Sequence, residues 1–116
     1  MNSVNLIGRM VADPELKIVG ELSICNFLIA VPRKKKDETD FIRCVSFGKT
    51  GEIISENFLK GQRIAVSGSL RTNSYDGKDG TKKYSYDVVV EQFDFIEKKD
   101  KDTDEEVSYN GTPFNN

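Results

Sequence analysis

At 116 residues, 37% hydrophobic and 31% charged with a formal net charge of −2, the chain has room for one domain with a charged surface. No apolar run approaches the roughly 20 residues of a membrane-spanning helix, and the N-terminus lacks a basic stretch followed by an apolar one, so the expected setting is the cytoplasm. The chain has no histidine, which removes Ser-His and Cys-His nucleophile pairs, and Cys25 and Cys44 stand at no zinc-ligand spacing; the expectation is a binding protein without metal or cofactor.

The charge is unevenly placed. Residues 97–116 carry three lysines against six acids, whereas residues 1–96 carry fourteen basic against thirteen acidic side chains. A nearly neutral body that binds nucleic acid needs a local basic groove with stacking rings, since bulk charge is lacking.

Residues 3–11 alternate loosely and predict a first strand, with a bulge or sharp bend at Gly8. Asp13-Pro14 signals a turn, Leu16-Lys17-Ile18 a return to extended chain, and Gly20 another break. Residues 22–31 are rich in β-formers. One parity, Cys25, Phe27, Ile29 and Val31, belongs inside, so both thiols are expected to be reduced core groups; the other, Asn26, Leu28 and Ala30, suits a surface under a ligand. After Pro32, the cations Arg33, Lys34, Lys35 and Lys36 open a loop that reads either as a phosphate arm or as a solvated tip balanced by Asp37, Glu38 and Asp40.

The stretch Phe41-Ile42-Arg43-Cys44-Val45-Ser46-Phe47-Gly48-Lys49 organises the rest. As a strand, it places Phe41, Arg43, Val45 and Phe47 on one face and Ile42, Cys44 and Ser46 on the other. If the first face is outward, rings and a guanidinium await a partner with flat bases and negative phosphates; if it is inward, the rings are core and Arg43 is a solvated charge. Thr50 to Lys60 takes helical spacing, with Thr50 as the expected N-cap and Ile53, Ile54, Phe58 and Leu59 as a core stripe. Arg63 to Tyr75 is the next strand, with Ile64, Val66 and Leu70 on one parity and Arg71, Asn73 and Tyr75 on the other. A glycine-bearing loop at 76–80 leads into a long strand from Lys82 to Ile96, in which a bulge near Gln92 would return Phe93 and Phe95 to the core.

From Lys98 the periodicity stops, which divides the chain into a domain at 1–97 and an acidic, disordered tail at 98–116. Asp100, Asp102 and Asp104 imitate the start of a calcium loop, but Glu105 and Gly111 stand where the turn glycine and the twelfth-position Glu belong. Five strands with one helix between the third and fourth make an all-β fold with a single helix, the plan of the OB-fold, a five-stranded, partly open Greek-key barrel.

In family order and spacing, the chain carries Asn5-Leu-Ile-Gly-Arg9, Asp13-Pro-Glu-Leu16, Asp40-Phe-Ile-Arg-Cys-Val-Ser-Phe-Gly-Lys49, Phe58-Leu-Lys-Gly61 and Gly68-Ser-Leu-Arg-Thr72 leading to Tyr75. With this set, residues 1 to about 96 resemble the homotetrameric single-stranded DNA-binding proteins of bacteria and phages. The resemblance implies a protein that binds single-stranded DNA with little sequence preference during replication, recombination and repair. It implies base stacking at Phe41, Phe47 and Tyr75. Phosphate contacts are expected at Arg9, Arg33, Lys34, Lys35, Lys36, Arg43, Lys49, Arg71, Lys78 and Lys83. The family often uses tryptophan at two of the stacking places and this chain has none, so its platforms are smaller.

The resemblance further implies assembly as a dimer of dimers, and an acidic tail whose terminal Pro-Phe docks on recombinase or replication proteins. Here Pro113-Phe114 is followed by Asn115-Asn116, a departure from the family's terminal Pro-Phe that fits a phage version better than a host one. Three other readings stay open: an RNA-binding or primosome-type OB module, a protein–protein adaptor that buries Phe41 and Tyr75, and a nuclease holding Mg²⁺ with Asp37, Glu38 and Asp40.

Overall fold

A computed structural model describes residues 1–35 and 37–97. The expectations for Lys36 and for the tail, including Pro113 and Phe114, lie outside the described residues. The elements run β1 (Val4–Met10), β2 (Glu15–Val19), β3 (Leu22–Pro32), β4 (Thr39–Phe47), α1 (Gly48–Asn57), β5 (Arg63–Asp76) and β6 (Lys82–Phe95). The strands form one sheet in the order β1-β5-β6-β4-β3-β2, and β1 also pairs with β3, which closes the sheet on itself. The β4–β6 pair is parallel, through Cys44↔Val88 and Val45↔Val89; the other pairs are antiparallel. This is the expected barrel with its helix between the third and fourth long strands.

The described residues hold six strands where five were expected. The extra one is β2, which turns back at Gly20 (φ 63°) to pair with β3 as an exposed edge. All five of its residues are exposed, so neither of its faces is held to the core. Gly8 is no bulge: the β1–β5 register runs unbroken from Val4↔Gly68 to Arg9↔Arg63. A Cβ at Gly8 would lie 2.8 Å from the Ala30 carbonyl oxygen, so glycine is needed for the close approach at which β1 meets β3.

The helix starts at Gly48 rather than at a Thr50 cap and ends at Asn57 rather than Lys60. The left-handed conformation of Gly48 (φ 67°) turns the chain directly from β4 into α1, leaving Phe47 as an N-cap with no side-chain hydrogen bond. Beyond Asn57 the chain turns extended at Phe58, burying that ring; Leu59 then points outward and is 61% exposed, contrary to its expected place in the core stripe.

Inside the barrel, Met10, Cys25, Phe27, Ile29, Cys44, Ile54, Phe58, Ile64, Val66, Val88 and Val90 form one cluster. Both cysteines are free, as the parity of their strands predicts. Burial pushes the Cys25 thiol up to about 11, and burial with the nearby Asp87 charge pushes Cys44 up to about 12. They stay protonated near neutral pH and pack as small apolar groups.

The expected bulge in the last strand is present. Ser67 pairs with Gln92 but Gly68 pairs with Val90, so Glu91 is the extra residue. This one-residue offset lets Val88 and Val90 face the core while Phe93 packs against it. Phe95 stacks on Phe58 with ring centroids 4.7 Å apart, and Phe93 meets both rings edge-on. Toward its loop, the β5–β6 ladder continues through Asp76↔Lys82, and Leu70–Asp76 and Lys82–Tyr84 are exposed: the hairpin projects from the barrel as a ribbon.

Candidate nucleic-acid interface

Residues paired across adjacent strands share a face. The β3–β4 register pairs Ala30 with Phe41, Leu28 with Arg43, Asn26 with Val45 and Ile24 with Phe47, so these eight side chains lie on the outer face. Phe41 is 64% exposed and Arg43 is exposed, whereas Cys44 and Ser46 are buried. The outward parity therefore holds for the first ring and the guanidinium. Two members depart from it. Val45 is buried, because its place between the paired strands β3 and β6 leaves little of a small side chain accessible. Phe47 is half-buried, and the Arg71 guanidinium carbon sits 5.7 Å from its ring centroid.

Across β6, Arg71 pairs with Asp87, Asn73 with Ser85 and Tyr75 with Lys83, which places all six on one face of the ribbon. Tyr75 is 57% exposed. The ladders through β6 bring Arg43 and Arg71 to the same carboxylate. Arg43 Nε lies 3.2 Å from Asp87 Oδ1, Arg71 Nη2 lies 3.6 Å from Oδ2, and Asn73 Nδ2 donates to Oδ2 at 2.8 Å. A continuous strip results: Phe41 and Arg43 on β4, then Asp87, Arg71 over Phe47, and Tyr75 with Lys83 toward the ribbon tip. Beside it runs a groove lined by Ala12, Asp13, Asn26, Leu28 and Arg43. Asn26 and Leu28, the parity expected to lie under a ligand, form part of its floor.

The other expected contacts are more scattered. Arg9 shares a cross-strand row with Ala30 and Phe41, but its guanidinium turns away to donate to the Gly61 carbonyl at 2.9 Å and stands 4.0 Å from Glu97. Arg33 donates to Asp40 (Nη2–Oδ1 2.8 Å) and to Glu38 (3.2 Å). The hydrogen bond from Arg33 holds the Asp40 carboxyl below its usual range. Lys35 stands 3.6 Å from Glu38. The loop is thus partly neutralised from within, and two of the three acids considered for Mg²⁺, Glu38 and Asp40, are engaged with cations. Among the described residues no ion pair reaches Lys34, Lys49, Lys78 or Lys83, all of them exposed.

Sequence reasoning missed Asp87, which holds the two arginines together. Its signal was the alternation Lys83, Ser85, Asp87, which places an acid on the face opposite Tyr84 and Tyr86. Those two tyrosines, on the reverse face of the ribbon, are also exposed.

The single-strand binding protein family matches residues 1–96. The chain belongs to that family. It is 53% identical over 100 residues to the single-stranded DNA-binding protein of Clostridium perfringens, covering 84% of this chain and 67% of that one. It is 44% identical over 103 residues to single-stranded DNA-binding protein 2 of Clostridium acetobutylicum, covering 84% of this chain and 77% of that one. Similarity extends to single-stranded DNA-binding protein 1 of Streptococcus pyogenes, at 38% identity over 106 residues, covering 86% of this chain and 82% of that one. Membership in the single-strand binding family accords with a barrel whose outer strip alternates rings with cations.

Proposed function

We propose that this chain binds single-stranded DNA without catalysing its reaction, covering it during replication, recombination and repair. The observation that carries the reading is the strip joining Phe41, Arg43, Arg71 over Phe47, and Tyr75, since bases stack on rings while guanidinium groups track phosphates. Phe41, Phe47 and Tyr75 take bases. Arg43 and Arg71 take phosphates at the centre; Lys34, Lys35, Lys49, Lys78, Lys83, Arg9 and Arg33 add contacts around it, as does Lys36, which lies outside the described residues. The working form is a homotetramer built as a dimer of dimers. Its support is the edge of β1 between Val4 and Gly8, which pairs with β5 on one side while pairing to β3 begins at Arg9. Residues 1–97 serve as the binding domain, and 98–116 as an acidic tail through which Pro113 and Phe114 reach recombinase or replication proteins. The setting is the cytoplasm of a bacterium, or of the host if the protein is phage-encoded.

The test is a fluorescent oligo-dT titration at two salt concentrations with RNA and duplex competitors. Tight, salt-sensitive binding that neither competitor displaces is expected. Displacement by RNA at equal concentration would make the chain an RNA-binding module, and no binding would leave the adaptor reading. Light scattering showing a monomer at micromolar concentration would refute the tetramer.

A further inference from the structure

Asp87 is the one acid of the strip shared by both central arginines, and it differs from them in exposure. Its side chain is 17% exposed, against 57% for Arg43 and 44% for Arg71. The carboxylate is fastened below them by the Asn73 amide and cannot diffuse away as a solution anion would. Guanidinium groups recognise carboxylate and phosphate oxygens by the same N–H edges. We propose that Asp87 is a built-in counter-charge that occupies the arginine edges a phosphate would take, and so sets how tightly this strip holds single-stranded DNA. The inference rests on the reading of the strip as the DNA surface.

The distances favour competition over scaffolding. The closest approach of Arg43 to Asp87 is 3.2 Å, from Nε, and that of Arg71 is 3.6 Å, from Nη2; Arg33, by contrast, grips Asp40 with hydrogen bonds from both Nε and Nη2, the two-point pairing that locks a guanidinium in place. Arg71 also has a second support in the Phe47 ring. Both guanidinium groups remain about half exposed and neither pair is close, so each contributes little and an arginine exchanges the carboxylate for a phosphate readily. One carboxylate against two guanidinium groups leaves a single net positive charge: enough to attract DNA, yet less than the strip could present. The consequence is moderated affinity, which lets a bound strand be released.

The experiment compares the parent chain with Asp87→Asn, which keeps an oxygen to accept the Asn73 amide. Oligo-dT affinity is measured across a salt series, with melting followed on the same samples. Asp87→Asn is expected to bind about two- to fivefold tighter, the scale of a solvent-screened ion pair. Its log–log salt slope should steepen by about 0.7 as one more phosphate is engaged. The same substitution in a chain carrying Arg43→Ala and Arg71→Ala, compared with that double variant at low salt, should give no gain. Unchanged or weaker binding by folded Asp87→Asn would overturn the proposal, the weaker result making Asp87 a scaffold that aims the arginines. An equal gain without the two arginines would also overturn it, as a general field effect. A parent that does not bind oligo-dT removes the reading of the strip itself, and this proposal with it.

Discussion

Replacing Phe41 with alanine separates a stacking surface from a core. The ring is 64% exposed, so about a third of its surface is covered. Taking an aromatic side chain as roughly 200 Å², the hidden part is about 70 Å², worth at most about 1.8 kcal/mol at about 25 cal/mol per Å². Phe27, which is buried in the core, should instead cost about 3–5 kcal/mol on truncation. The order reverses for binding. Loss of a base-stacking ring should cost about 1–3 kcal/mol, a rise in Kd of roughly five- to 150-fold. Melting and oligo-dT titration on the same Phe41→Ala, Tyr75→Ala and Phe27→Ala samples read both quantities. Phe41→Trp should bind as well as the parent or better, since an exposed site has room for a larger ring. The reasoning fails if Phe41→Ala melts like Phe27→Ala while folded Tyr75→Ala binds like the parent.

Arg43→Ala and Arg71→Ala should weaken binding to all base compositions alike and flatten the log–log salt slope by about 0.7 per lost phosphate contact; a changed sequence preference at constant slope would point to base readout. The raised thiols give a pH dependence with a definite sign: protons are held more tightly in the fold, so their contribution is complete below about pH 8.5, the unfolded value, and declines as pH rises toward about 11 for Cys25 and about 12 for Cys44. Melting of Cys44→Ala should therefore fall less steeply above pH 8.5 than that of the parent, and parallel curves would count against the assignment. Deleting 100–116 should leave the melting curve in place and tighten binding, because tethered acids compete with phosphates; loss of the folded state would mean that the tail had been misjudged.

Much of the barrel was legible because β3 and most of β4 alternate inward and outward residues. Cys25, Phe27 and Ile29 against Asn26 and Leu28, and Cys44 and Ser46 against Phe41 and Arg43, identify the faces directly. The helix was legible in kind but not in extent, since its start depends on the backbone of Gly48 and its end on the burial of Phe58, neither of which is a periodic signal. The extended chain at Leu16-Lys17-Ile18 was legible, but not that it forms a separate strand on β3, because that pairing at an exposed edge buries no face. Within the site, rings and cations could be named from parity, but their pairing could not. Arg43 and Arg71 meet Asp87 only because β6 lies between β4 and β5, an arrangement that joins residues far apart in sequence. The covering of Val45 has the same origin.

The extra residue at Glu91 determines which chemistry the ribbon shows to each side. Side chains alternate with a period of two, so one added residue in a regular ladder would exchange the faces of everything on one side of it. The bulge absorbs that exchange by leaving Glu91 unpaired. Were the bulge ironed out with Glu91 retained and β5 in place, Glu91 would meet Gly68, and Tyr84 and Tyr86 would turn to the side now held by Lys83, Ser85 and Asp87. The carboxylate would leave Arg43 and Arg71, and Val88 and Val90 would leave the core with the same slip. One unpaired residue thus keeps the barrel's packing and the strip's charge in step.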